Sequence, residues 1–195
     1  EFYNSDGSIS GACGNGTRCV AFLIFKETDK KVVDLFVGSN QLKSKILENS
    51  EVETIIGVPK THWKDIPMSE NLDTKNLGIE ISDKNNSSSK GGIAVNVGNP
   101  HVIFFVDNID DFDLKKIGPI VENNKLFPEK CNFTLANKIG NNHYKVKVWE
   151  RGAGLTKACG TAACATAVAA NLEKLENSST EIEFRNSISV DELSL

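Results

Sequence analysis

Residues 12–21 read Ala-Cys-Gly-Asn-Gly-Thr-Arg-Cys-Val-Ala, and residues 158–167 read Ala-Cys-Gly-Thr-Ala-Ala-Cys-Ala-Thr-Ala. Each stretch is Ala-Cys-Gly, a small or polar run, a second cysteine, and then a helix-like segment. After the first comes the apolar run Cys19–Phe25, which reads as a buried helix opening at the glycines, although pattern alone leaves a strand open. After the second comes the Ala-rich segment Ala162–Asn171, a good helix by propensity. One copy lies in each half of the chain. Duplicated halves can meet about a pseudo-twofold axis, which predicts that Cys13 and Cys159 face each other.

A helix start leaves backbone N–H groups without internal partners and carries partial positive charge. Glycine beside the cysteine lets a ligand approach the backbone, so each element reads as a cradle for a carboxylate. The same charge favours thiolate over thiol, which predicts a lowered pKa for Cys13 and Cys159. Two such groups on opposite sides of an α-carbon can invert it, one removing the α-proton and the other delivering a proton to the far face. The plain alternative is a cysteine filling a tight place at a helix start. The repeat in both halves weighs against it.

Outward from these elements, residues 1–12 carry turn and loop chemistry. Short β-like runs follow at Val32–Val37, Ile46–Leu47 and Val52–Val58. Residues 60–90 are largely polar and end in an expected exposed loop, 85–90. Ile93–Val97 and Val102–Val106 read as strands around the turn Gly98-Asn-Pro-His101. Leu114, Ile117 and Val121 share a helix face in 109–123, with Pro119 expected to kink or break it. Tyr144, Val146 and Val148 alternate with lysines, a half-buried strand leading to a turn at 149–154. The order is mixed α/β in two halves, 1–58 and 59–195.

The 195 residues hold 22 basic and 26 acidic side chains, a net charge of −4 that argues against a nucleic-acid coat or a basic membrane-surface protein. No apolar run is long enough to span a membrane as a helix. The opening residues show neither the basic nor the apolar segment of a signal peptide. The five cysteines are an odd count without a CxxC pair, and there are three histidines, so neither a disulfide framework nor a structural metal site is expected. A cytoplasmic location is the expectation, with organelle import through a lost N-terminus left open. Met68 is the only methionine, and Ile188, Val190, Leu193 and Leu195 nearly alternate with polar residues up to the last position. Both ends read as cut, and the sequence as a piece of a longer protein.

Asn4-Ser-Asp-Gly-Ser-x4-Cys-Gly-Asn-Gly-x-Arg-Cys19 and Glu150-Arg-Gly-x-Gly-x3-Ala-Cys-Gly-Thr161 resemble the two cysteine signatures of the diaminopimelate epimerase family. Gly98-Asn-Pro-His101 and Phe127-Pro-Glu-x-x-Asn132 resemble two further blocks of that family, in its order. The resemblance implies a pyridoxal-phosphate-independent isomerase. It would interconvert LL- and meso-diaminopimelate in lysine and peptidoglycan precursor synthesis, with no cofactor and no metal. It also implies an α+β fold of two similar domains, each wrapping strands around a central helix, with the substrate in the cleft. On it, Cys13 and Cys159 are the catalytic bases. Gly14, Asn15, Gly160 and Thr161 hold the reacting carboxylate. Asn4, Asn99, Asn132 and Arg151 read the distal end, where an arginine fork suits a carboxylate. Glu150 and His101 border the reacting centre. A second copy of the chain is an open partner; nucleic acid and membrane are not expected.

Cys19, Cys131 and Cys164 read as packing residues. Leu155 stands where the family often has an acidic residue, and Ala162 where it usually has glycine. Other readings of the sequence are a different racemase or isomerase of the same superfamily, such as a proline racemase-like enzyme, a thiol redox or metal-binding protein, and an inactive fragment.

Overall fold

The computed structural model of the protein describes residues 2–3, 9–10, 14–37, 40–173, 179–184 and 190–193. The chain divides into two compact units, Glu1–Val58 and Pro59–Leu195.

In the first unit, β1 (Phe2–Tyr3) pairs antiparallel with β2 (Ile9–Ser10). Sequence predicted loop throughout this stretch. The ladder rests on backbone groups, which polar composition does not reveal. Then α1 (Gly14–Thr28) begins at the glycines, as expected. It packs on an antiparallel meander of β3 (Val32–Val37), β4 (Asn40–Ile46) and β5 (Val52–Ile55). Ala21, Val33 and Ile46 form the centre of this packing, with Ile24, Phe25, Leu35 and Val52 against them. The central strand β4 corrects the sequence reading, which saw only Ile46–Leu47. Its alternate residues Leu42, Ser44 and Ile46 are buried, and Ser44 Oγ lies 2.8 Å from Thr54 Oγ1 on β5. A serine that finds its partner across the sheet hides a buried face from any hydrophobic count.

In the second unit, residues 60–82 supply Ile66, Met68, Leu77, Ile79 and Ile81 to the core, although their surroundings are polar. The expected loop at 85–90 is instead the tip and return strand of a hairpin, β6 (Ile79–Ser82) with β7 (Ser88–Gly91). Asp83 Oδ1 accepts from Asn85 N and Ser87 N, both at 2.8 Å, and closes the turn.

The main sheet takes β8 (Ile93–Asn96), β9 (Pro100–Phe105), β10 (Asn132–Gly140), β11 (His143–Glu150), β12 (Gly154–Thr156), β13 (Thr180–Phe184) and β14 (Val190–Leu193). Its order is β14-β13-β11-β10-β9-β8, with β12 against β11. The β9/β10 and β11/β13 pairs are parallel and the others antiparallel.

Two helices serve this sheet. Between β9 and β10, α2 (Leu114–Glu122) buries Leu114, Ile117 and Val121 in the core formed with Phe104, Phe133 and Leu135. It runs through Pro119, where a kink or a break was expected, and the helix is not broken there. Asp113 Oδ1 caps its start at Lys115 N (3.1 Å). The Asn123 N–H (3.2 Å) and Nδ2 (2.7 Å) both donate to Pro119 O and hold its last turn. The second helix, α3 (Gly160–Leu172), packs against β8, β9, β10, β13 and β14. Thr161, Ala162, Ala163, Ala165, Thr166, Ala167, Val168, Ala169 and Ala170 are all buried. A helix buried on every side needs small side chains, which is why the segment is alanine-rich rather than amphipathic. The expected α+β class holds, and in each unit strands pack against a helix.

Candidate active site

Cys159 is the N-cap residue of α3, in extended backbone (φ −146°, ψ 108°), and is 7% exposed. Its Sγ lies 3.4 Å from Oγ1 of Thr161, the second residue of the helix. Thr161 Oγ1 in turn lies 3.1 Å from Nε2 of His101, which β9 presents fully buried. The same Nε2 lies 2.8 Å from Asn99 Oδ1 in the preceding turn. An amide oxygen only accepts, so Nε2 carries the imidazole proton. Thr161 Oγ1 therefore sits on the acceptor side of that N–H, and its own hydrogen is left for the Cys159 sulfur. His101 Nδ1 is buried with no hydrogen-bond partner among the described residues. Burial first, and then the Arg151 charge, lower the His101 pKa to about 3, so the ring is neutral.

The Glu150-Arg151 turn comes from the end of β11. Alternation along the strand sends Trp149 toward α2 and Glu150 to the other face. Glu150 Oε1 accepts from Thr156 Oγ1 on β12. The Ala153 N–H donates to Glu150 O at 3.1 Å, closing a turn in which Gly152 has φ +74°, a backbone that glycine takes without strain. Asn132, which stands beside His101 in the parallel β9/β10 register, is 3% exposed and engaged at both ends. Its Nδ2 donates to Pro100 O (3.0 Å) and its Oδ1 accepts from Arg151 N (2.9 Å). Arg151 is exposed, and its Nη1 donates to Glu129 O at 2.9 Å.

The electrostatics of Cys159 overturn one expectation. Its pKa is raised to about 12, not lowered. Burial is the main cause and the neighbouring Glu150 carboxylate adds to it, while the Thr161 hydroxyl and the Ala162 N–H pull the other way. A helix start stabilises a thiolate only by what desolvation leaves over. In this state Cys159 is a thiol.

The structure thus brings together Cys159, Gly160, Thr161, His101, Asn99, Asn132, Glu150 and Arg151. Gly14 and Asn15 open α1 in the first unit, where Asn15 Oδ1 accepts from Arg18 Nη2 at 2.7 Å. Asn4 and Cys13 lie outside the described residues. Among the other cysteines, Cys131 is fully buried, donates from Sγ to Val121 O (3.4 Å) and has its pKa raised to about 12 by burial and then by Glu122. Cys164 is half-buried. Cys19 is exposed on α1 and is not a packing residue; its place inside a helix said nothing of which face it takes. Leu155 lies 47% exposed at the edge of a cavity of about 380 Å³ that Phe112, Leu114, Val148 and Phe184 also line. Ala162 is buried in α3.

Sequence reasoning missed Glu122 and Thr156. Glu122 is 6% exposed, and its carboxylate takes Trp149 Nε1 (2.7 Å) and Gly152 N (3.0 Å), with Lys130 Nζ at 3.8 Å. In sequence it is one more charge at a helix end, and nothing local marks it. Among the described residues no three His, Cys, Asp or Glu side chains gather as a metal site, and no helix is long and apolar enough to cross a membrane.

Comparison with known proteins places the chain in a family. The family model described as Diaminopimelate epimerase matches residues 93–192. The chain is 66% identical over 195 residues to a diaminopimelate epimerase of Pelagibacter ubique (strain HTCC1062), across 98% of this chain and 71% of that one. It is 42% identical over 186 residues to a diaminopimelate epimerase of Afipia carboxidovorans, across 94% of this chain and 64% of that one. Its fold is similar to that of a hydroxyproline epimerase from Agrobacterium vitis solved with trans-4-OH-L-proline. The TM-score is 0.60 at 11% identity, across 92% of this chain and 56% of that one. The signatures around Cys13 and Cys159, the α+β fold and these matches give one conclusion: the chain belongs to the diaminopimelate epimerase family.

Proposed function

We propose that this protein interconverts LL- and meso-diaminopimelate by exchanging the proton on the α-carbon between two cysteines, Cys13 and Cys159. One thiolate takes the α-hydrogen as a proton, and its C–H electron pair stays on the substrate as a carbanion conjugated with the carboxylate. The opposite thiol delivers its proton to the other face of that carbon. The enzyme ends with the two thiols' protonation exchanged, and water resets them.

The observation that carries this reading is the gathering at the start of α3 of Cys159 and Thr161 with Glu150 from β11 and His101 from the distant β9. A thiol held protonated by burial and by Glu150 is the donor the second half-step needs. The N–H groups of Gly160 and Thr161, which have no partner within the helix, suit the negative charge that grows on the reacting carboxylate. The Thr161 hydroxyl points a hydrogen at the sulfur and eases its passage to thiolate in the reverse direction. His101, neutral and buried, fixes Thr161 through Nε2 and adds no positive charge that would trap the carbanion. Gly14 and Asn15 play the corresponding cradle role at the start of α1. Arg151, with Asn99 and Asn4, reads the distal amino-acid end, and Asn132 holds the Arg151 backbone in place for it. The reaction draws on no pyridoxal phosphate, metal or nicotinamide, takes place in the cytoplasm in a lysine and cell-wall precursor route, and leaves a homodimer open.

The test is substitution in the full-length protein. Cys13→Ala and Cys159→Ala each abolish epimerisation of diaminopimelate while circular dichroism stays that of the wild type, and turnover in deuterated water labels the α-position of the product. Near-normal turnover by either variant removes that cysteine from the mechanism. Activity lost to a chelator and restored by a metal refutes the cofactor-free reading. Preference for proline or hydroxyproline over diaminopimelate moves the protein to the other racemase reading.

A further inference from the structure

The turn that carries Glu150 and Arg151 is held from behind by one buried carboxylate. Glu122, at the last position of α2, puts Oε2 2.7 Å from Trp149 Nε1 and Oε1 3.0 Å from Gly152 N, spanning the two catalytic-turn residues from both sides. The seat is shaped for this. One helical turn earlier, Gly118 leaves room for the indole: a β-carbon there would stand 2.4 Å from Trp149 Cδ2. The neighbouring amide, Arg151 N, is taken separately by Asn132. Two consecutive N–H groups of the turn are thus fixed by side chains from two other elements. The Arg151 backbone therefore has one position, and its exposed guanidinium is aimed from a rigid base. Glu150 does not depend on this seat, because Thr156 holds its carboxylate and β12 pairs with its backbone.

We propose that Glu122 is a positioning residue: it grips Trp149 with one oxygen and Gly152 with the other, and so sets the aim of Arg151 at the distal end of the substrate. This rests on the function proposed above. It makes a specific demand on chemistry. Two donors approach two different oxygens, and a carboxylate serves both while a carboxamide has a single acceptor atom. Glu122→Gln therefore keeps size and loses one of the two bonds, setting its NH2 against an N–H. Trp149→Phe removes the indole donor and leaves the glutamine oxygen free for Gly152.

The experiment uses the full-length protein. Glu122→Gln raises KM for diaminopimelate about tenfold with kcat within about twofold, because binding through Arg151 suffers and the reacting end does not. In the Trp149→Phe background the same change raises KM less than about threefold relative to Trp149→Phe alone. The indole N–H resonance of Trp149 moves in Glu122→Gln, while that of Trp63 stays as the internal reference. An unchanged KM in Glu122→Gln, an equal rise in both backgrounds, or a loss confined to kcat overturns the proposal. If Glu122→Gln is unfolded, Glu122→Gln in the Trp149→Phe background decides, since there the amide oxygen still serves Gly152 and no N–H stands against the NH2; a tenfold KM rise there overturns it. If wild-type protein leaves diaminopimelate untouched, the functional reading falls, and amide exchange at Gly152 then decides this one. Protection lost in Glu122→Gln supports the grip, and protection retained refutes it.

Discussion

Gly118→Ala sets two physical effects of opposite sign against each other. Inside a free helix the substitution stabilises by about 1 kcal/mol, since alanine is the better helix former. In α2 the added methyl meets Trp149 at Cδ2 (2.4 Å), Cγ (2.5 Å) and Cε3 (2.7 Å). Carbon atoms rest about 3.5–4 Å apart, so the ring must move by about 1 Å or more. These atoms lie at the root of the indole rather than its tip, so rotation of the far end gives no relief. The shift also opens the 2.7 Å bond from Trp149 Nε1 to Glu122. Overpacking costs about 1–3 kcal/mol, and a lost hydrogen bond to a charged group about 1.5–3 kcal/mol. Less the helix gain, the net is a destabilisation of about 3 kcal/mol, with about 1.5 kcal/mol as the floor. Urea unfolding of the wild type and the variant, followed by tryptophan fluorescence with the m-values compared, measures it. In a Trp149→Leu background the clash is gone, and Gly118→Ala becomes neutral or stabilising. A wild-type or higher midpoint for Gly118→Ala alone refutes the seat described for Trp149.

Two further predictions concern titration. Burial and Arg151 bring His101 from 6.5 down to about 3, so its contribution to stability is full above pH 6.5 and is lost as pH falls from there toward 3. The unfolding midpoint therefore drops on acidification and His101→Gln flattens that drop; parallel pH profiles for the two proteins refute the assignment. Cys131 and Cys159, each raised from 9.0 to about 12, keep their stabilising contribution below pH 9 and lose it as pH climbs toward 12. Brief alkylation of the free protein near neutral pH labels the exposed Cys19 first and Cys131 and Cys159 slowly, and peptide mapping that finds Cys159 modified as fast as Cys19 overturns the burial argument.

What was legible in the sequence is what neighbours along the chain decide. Helices begin at Gly14 and at Gly160, because glycine, a polar run and then helix formers act within one turn. The β11 alternation of Tyr144, Val146 and Val148 shows in the chain because one face is buried and the other wet. The family blocks at 98–101, 127–132, 150–161 and 4–19 name candidate site residues without any geometry. Distance along the chain is where that reading fails. Strand β4 looks polar because Ser44 is satisfied by Thr54, a residue on another strand. The hairpin at 79–91 looks like a loop because its ladder is made by backbone. Helix α2 survives Pro119 because its buried face and the Asn123 bonds outweigh one missing N–H.

The site divides in the same way. That Cys159 begins a helix is local, and the sequence determined it. That its thiol is pushed up to about 12 depends on burial by the sheet and on Glu150 arriving from β11. Asn132 reads as a ligand contact by resemblance, and the tertiary structure has it tying Arg151 to Pro100. Glu122 has no signal at all in the chain, because a carboxylate at a helix end becomes a grip only when a strand lays an indole and a turn amide against it. Propensity, capping and alternation are summed over a few residues and survive in one dimension. Desolvation and hydrogen-bond partnership are set by whatever the fold brings within a few ångströms, so only the tertiary structure decided them.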